Sequence, residues 1–322
     1  MKLNITKDIS NDIVSPTLLA GWPGMGSVGV GAINYLRRQL GAEPFADVDM
    51  TDFFCHEEVV VEDGIAKLPE IPSHVFYHVP GKDLIIFESE SQVPGQGGIS
   101  LMNSVLDLAG QMDVQTIYTA AALAMPMRHS EDVQVFGISN REALRDHLIP
   151  HGVEVLKEGQ ISGLNGLLLG FADVRNISAA CLLSTMPHHV VQMPNPKASH
   201  EIVKVLCSLL DLEVDMTEMN EAVNEMSKVL GKIEEKIKSA FSTMEGEGHG
   251  EDALEDLNDV DEEGVPQKVM ALIERMFIQV NHSSSPDQDM ASRLKGELDK
   301  WNLYGLYEDR FLNLFRDSDD NT

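Results

Sequence analysis

Gly24-Met25-Gly26-Ser27-Val28-Gly29 has the spacing G-x-G-x-x-G, by which a strand turns tightly into a helix whose first amides can face a pyrophosphate. An apolar segment from Thr17 to Gly21 precedes the loop, a helical pattern from Ser27 to Leu40 follows, and Asp49 stands where a ribose-binding acid would be expected. Three roles fit such a loop: a dinucleotide cradle, a small-anion site at a helix N-terminus, or a tight sheet-to-helix turn. The first needs a crossover helix and a further parallel strand after the acid. Residues 53–88 instead read as short strands separated by the turn pairs Asp63-Gly64 and Pro80-Gly81. Pro23 stiffens the approach to the first glycine, and no Gly-Lys-Ser/Thr follows as a Walker loop would require. No cofactor is therefore expected. A ligand role for Gly24, Met25, Gly26, Ser27 and Gly29 would be anion binding.

A second polar group surrounds Glu88, Glu90 and Gln92, at the end of a strand and ahead of the Pro94 to Gly98 turn. Open sheets bind ligands at such strand ends. If the strand continues, Glu88 and Glu90 share a face and could form an acid–base or metal-binding pair; the alternative is an ordinary solvated edge. Asn165 is the one polar side chain in the run Gly163 to Gly170, so it either satisfies buried backbone or lines a cleft with Glu88, Glu90 and Gln92. His188 and His189 are adjacent and point apart in an extended segment, His200 is distant in sequence, and no metal site is expected. Cys55 beside His56 is a poor nucleophile pair, because sequence neighbours rarely present both groups to one point. No GxSxG, HExxH or EF-hand pattern occurs, so no catalytic residues are assigned.

The elements that would position these residues alternate along the chain. Strands are expected at Thr17–Gly21, Phe45–Met50, Glu57–Glu62, Ala66–Leu68, His74–Val79, Leu84–Glu88, Thr116–Ala121, Val133–Ile138, Ala179–Ser184 and Val190–Met193. Helices are expected at Ile99–Ala109, Arg141–Leu148, Leu164–Ala172 and Pro196–Leu210, the last capped by Asn195 with Pro196 at its first position. This pattern predicts a mixed sheet with helices on both faces. The α/β domain is expected over residues 1–212. Beyond it, Asp215 and Glu218 have the spacing of a capping box, with Val214 and Met219 placed for a hydrophobic staple. Met219, Val223, Met226, Leu230, Ile233, Ile237, Ala240 and Met244 follow in heptad rhythm, predicting a long amphipathic helix within 213–244. Its seam must pack on this chain, on another subunit or on a foreign partner; Met226, Leu230, Ile233 and Ile237 are the candidate contact residues. Residues 245–264 carry ten acids and no Lys or Arg, as a solvated linker would. Residues 265–322 read as a helical region, with aromatic residues concentrated between Trp301 and Phe315.

The 52 acids and 24 bases give a formal net charge of -28, a field that repels nucleic acid and anionic lipid. Residues 211–322 contribute 28 acids and 11 bases, so much of the surplus lies in the C-terminal third. The segment from Met1 to Ser10 has no apolar run of the kind a secretory signal carries, and no later run is long enough to span a bilayer. Three cysteines without CxxC spacing fit reduced thiols. A cytoplasmic protein without nucleic-acid or membrane partners is expected.

Four stretches, taken in order, resemble the PAC2 (proteasome assembly chaperone 2) family, in its bacterial form. They are Trp22 to Gly29, Glu88 to Pro94, Gly159 to Leu169, and Met193-Pro194-Asn195-Pro196-Lys197-Ala198. The terminal stretch from Lys300 to Leu312 is also similar to the ending of bacterial members. The resemblance implies a three-layer α/β/α sandwich akin to nucleoside phosphorylase folds, assembled into homo-oligomers. It also implies non-catalytic binding of other proteins, proteasome α subunits among them. A phosphorylase-like cleft acting on a nucleoside or phosphorylated compound is the alternative activity that this fold would allow. Some members engage proteasomes through a C-terminal hydrophobic-Tyr-variable tail; the sequence here closes on Asp319-Asp320-Asn321-Thr322, so that contact is not expected.

Overall fold

The computed structural model describes residues 2–54, 59–244, 293–296 and 298. The chain divides into a unit spanning Met1–Lys238 and another spanning Ser239–Thr322; of the latter's C-terminal part, 293–296 and 298 are described and are helical. Cys55, His56, the expected linker at 245–264 and the aromatic stretch from Trp301 to Phe315 lie outside the described residues.

In chain order the strands are β1 (Lys2–Ile5), β2 (Thr17–Gly21), β3 (Glu43–Asp49), β4 (Val60–Glu62), β5 (Ile65–Lys67), β6 (His74–His78), β7 (Leu84–Ser89), β8 (Thr116–Met125), β9 (Val135–Ser139), β10 (Glu154–Val155) and β11 (Ser178–Pro187). The helices are α1 (Val28–Gln39), α2 (Gly95–Gln111), α3 (Glu142–Leu148), α4 (Leu164–Val174), α5 (Pro196–Leu210) and α6 (Thr217–Met244). Alternation assigns each strand residue to a face. Leu18 and Ala20 of β2, Ile117 of β8, and Ala179, Cys181 and Leu183 of β11 enter one core. Leu19, Tyr118, Ala120, Ala180 and Leu182, their neighbours in sequence, enter the other. Strands apolar on both sides need two covers. Residues of α2 and α4 complete the first core, and those of α1, α3 and α5 complete the second, together with Met219 and Leu230 of α6.

Nine strands form one sheet in the order β1-β3-β6-β7-β2-β8-β11-β9-β10, while β4 and β5 pair apart from it. The centre, β7-β2-β8-β11, is parallel, and β1, β3 and β6 continue it antiparallel on one flank. On the other flank β9 is antiparallel to β11. The mixed sheet predicted from the sequence is thus present. The carboxyl ends of the four parallel strands define one edge, and His74 opposite Ser89 brings the start of β6 to that same edge.

Three local expectations are corrected. Val190–Met193 is not a strand: His188–Val190 forms a 3-10 turn, because β11 runs on through Pro187 and the chain must reverse at the sheet edge. β1 and β10 are strands that the sequence pattern does not announce; each is a short edge strand whose pairing, rather than its apolarity, defines it. The capping box at α6 does not form. Asp215 Oδ1 accepts from the Thr217 amide and hydroxyl, and Glu218 pairs with Arg38 of α1 instead. Asn195 does cap α5 as expected, its Oδ1 accepting from the Ala198 amide at 3.0 Å.

Candidate functional site

The Gly24 loop leaves β2 at the carboxyl edge. Met25–Ser27 make a 3-10 turn in which Gly26 sits at φ 58°, a left-handed conformation that glycine adopts without steric cost. A Cβ on Gly26 would lie 2.8 Å from Met186 Cε. At Gly29 an added Cβ would lie 1.8 Å from the Ala120 carbonyl oxygen, so α1 begins in direct contact with the backbone of β8. Three amides of the loop have acceptors within the chain. Gly26 N donates to Val191 O at 2.7 Å and Ser27 N to Gly24 O at 2.9 Å, and Val28 N donates to Met25 O.

Asn165, 4% exposed, binds both backbone groups of Trp22. Its Oδ1 accepts from Trp22 N at 3.0 Å, and its Nδ2 donates to Trp22 O at 3.1 Å. Thr119 of β8 fixes the Asn165 backbone, donating to its carbonyl at 2.7 Å. Gln92 ties the same loop from the β7 side, with Nε2 donating to Pro23 O at 2.6 Å. These bonds hold the Trp22 indole fully buried, its centroid 5.1 Å from that of Phe87. The sequence-predicted residues Gln92 and Asn165 therefore do meet at the Gly24 loop, as braces for its backbone. Glu88 does not join them: it accepts from Asn34 Nδ2 at 2.8 Å and Arg37 Nε at 2.7 Å, both on α1. Glu90 accepts from the Ser73 amide at 2.7 Å, beside the start of β6. The two carboxylates are bonded to separate elements. His188 and His189 stand edge to face at 5.6 Å in the turn after β11. Among the described residues no group of three or more His, Cys, Asp or Glu is placed to hold a metal ion, and no helix is long and apolar enough to cross a membrane.

Burial decides where the heptad seam of α6 goes. Met219 and Leu230 are buried, and Met226 and Ile233 pack against the core shared by α1 and α5. Two contacts from α1 hold the start of this helix: Tyr35 Oη donates to Asp215 O, and the Arg38 guanidinium grips both Glu218 oxygens at 2.9 and 3.1 Å. The Ile237 side chain lies outside the described residues.

Sequence reasoning missed the exposed apolar surface between β3 and β6. Val59, Val61, Ile65 and Leu68, on and beside the β4–β5 hairpin, are each more than half exposed. A usable signal is present in the unbroken run Val59-Val60-Val61, which lacks the polar alternation of a half-buried strand.

The braced glycine turn, the two-sided sheet and the short strands after β3 give the motif stretches a shared structural setting. The PAC2 family model matches residues 18–234. The chain belongs to the PAC2 family. A relative from Methanocaldococcus jannaschii, the uncharacterized protein MJ1210, is 25% identical over 241 residues, covering 73% of this chain and 90% of its own length. The crystal structure of Pyrococcus furiosus PbaB, an archaeal proteasome activator, is similar with a TM-score of 0.62 and 25% identity, over 72% of this chain and 98% of that one. The PAC2 family protein from Streptomyces avermitilis shares the fold at a TM-score of 0.58 and 23% identity, over 67% and 95% of the two chains. P. furiosus PbaA, an archaeal homolog of proteasome-assembly chaperone, does so at 0.58 and 22%, over 76% and 96%. Archaeal and bacterial proteins thus share this architecture, and the resemblance to one bacterial branch does not single this PAC2 chain out.

Proposed function

We propose that this PAC2 protein is a non-catalytic protein-binding factor that serves the assembly or operation of a larger complex. The observation that carries this reading is the engagement of the polar groups at the carboxyl edge with the chain itself. Both amide atoms of Asn165 are bonded to Trp22, Gln92 is bonded to Pro23, and Glu88 is bonded to Asn34 and Arg37. A catalytic edge would keep such groups free to converge on a substrate. The same reading keeps the sandwich akin to nucleoside phosphorylase folds in its layers and assigns it no phosphorylase chemistry. It also takes the chain as a cytoplasmic homo-oligomer; the free, buried Cys181 and half-buried Cys207 suit a reducing compartment.

Proteasome subunits are the first partners to test, because PbaB is an archaeal proteasome activator. The purified full chain would be mixed with unassembled proteasome α subunits of its own organism and followed by native electrophoresis and sedimentation. A co-migrating complex is expected. Identical assembly of the α subunits with and without the chain, and no co-migration, would overturn the proteasome placement.

A further inference from the structure

The chain leaves the sheet at the end of β3 and returns at the start of β6, and the β4–β5 hairpin is the middle of that excursion. Its register pairs Val60 with Lys67, Val61 with Ala66 and Glu62 with Ile65. Side chains alternate across a strand, so Val61 and Ala66 share one face, and Val59 and Leu68, the next outward, extend it. Three of these are large and open to solvent: Val59 at 53%, Val61 at 63% and Leu68 at 63%. Among the described residues the hairpin pairs with no strand of the nine-stranded sheet. An uncharged face on an isolated two-stranded ribbon is a liability unless something covers it.

The surround indicates what would cover it. Along the described part of this excursion stand Asp52, Glu62, Asp63 and Glu70 against a single base, Lys67, with Glu62 and Asp63 at the tip of the hairpin. We propose that this hairpin face docks a different protein, one presenting an apolar strip flanked by lysine and arginine. The apolar centre would exclude water and the charged rim would select the partner. A second copy of the chain fits poorly. It would bring the same acidic excursion to this contact. The inference deepens the protein-binding reading and rests on it, by naming the surface and the chemistry it recognises.

Two labelled synthetic peptides test it, sharing one alternating valine–threonine core and flanked either by lysines or by glutamates. Fluorescence anisotropy with the full chain should give tighter binding of the lysine-flanked peptide by at least about tenfold, weakening as salt is added. The double variant Val61→Asn, Leu68→Asn, which removes the apolar centre without adding charge, should weaken binding of the lysine-flanked peptide by at least about tenfold with an unchanged melting temperature. If the double variant melts early, Val61→Thr, Leu68→Thr keeps strand propensity and serves in its place. Equal binding of both peptides, or binding untouched by the variants, would overturn the proposal. So would self-association of the native chain in sedimentation that the variants abolish, which would make a second copy the occupant. A variant that still captures proteasome α subunits would remove the hairpin from the contact while leaving the protein-binding reading intact.

Discussion

A buried imidazole is held best as the neutral ring, because burial penalises the charged one. His74 is 3% exposed, and its Nδ1 lies 2.8 Å from Ser89 Oγ, a hydroxyl whose proton is given to Ser91 O at 2.7 Å. The ring nitrogen must therefore be the donor, which fixes the Nδ1–H form. Burial lowers the His74 pKa, with Glu90 opposing the shift through its negative charge. The folded protein thus binds this proton less readily than the unfolded chain, whose histidine titrates near about 6.5. By linkage, stability should fall as pH drops below that value, and it levels off once the folded ring is also protonated. Urea unfolding between about pH 7 and pH 5 should show a steeper loss in the native chain than in His74→Asn. Equal slopes would mean that another group sets the acid limb. Asn165 makes a related point about prediction. Its isolation among leucines marks it as a side chain that needs a partner, but whether that partner is a ligand or backbone depends on Trp22, which is distant in sequence and adjacent in the fold.

Elements with a strong period were legible, and those defined by pairing were not. α5 and β2 have the bounds expected from sequence, because caps and glycine turns stop them locally. β8 and β11 run longer than expected, each reaching ten residues, since their paired register carries them past the point where alternation fades. β1 reads as polar, and it is a strand because β3 offers it an edge. The Gly24 loop shows the limit of a motif. β6 and β7 stand between β3 and β2, so Asp49 is three strand spacings, about 14 Å, from the loop it would have to serve. For α6 the heptad spacing found the seam, and burial of Leu230 chose its partner. Leu230→Ala should destabilise the attachment of α6 by about 2–3 kcal/mol. Hydrogen exchange is the suitable measurement: amides of 217–233 should exchange faster while those of β2 and β8 keep their protection. Uniform loss across the sheet would instead make α6 part of the global folding unit.

At the scale of the whole chain, charge sets the terms. A net charge of -28 is spread over 322 residues, while the ion pairs among the described residues are mostly exposed. Arg37 with Glu88 is the least exposed of them, at 23% and 15%; Lys7 with Glu43 and Arg38 with Glu218 are open to water on both sides and contribute little each. The acidic surplus repels itself, and these exposed pairs offset little of it. Screening should relieve it. Raising ionic strength from about 0.01 M to about 0.15 M shortens the Debye length from about 30 Å to about 8 Å, which removes long-range repulsion and weakens the exposed pairs only modestly. The melting temperature should rise by several degrees over that range with sodium chloride, and by a similar amount with potassium chloride, because the effect is one of screening. A fall would mean that the exposed pairs outweigh the repulsion. A rise with only one cation would point to specific binding in place of screening.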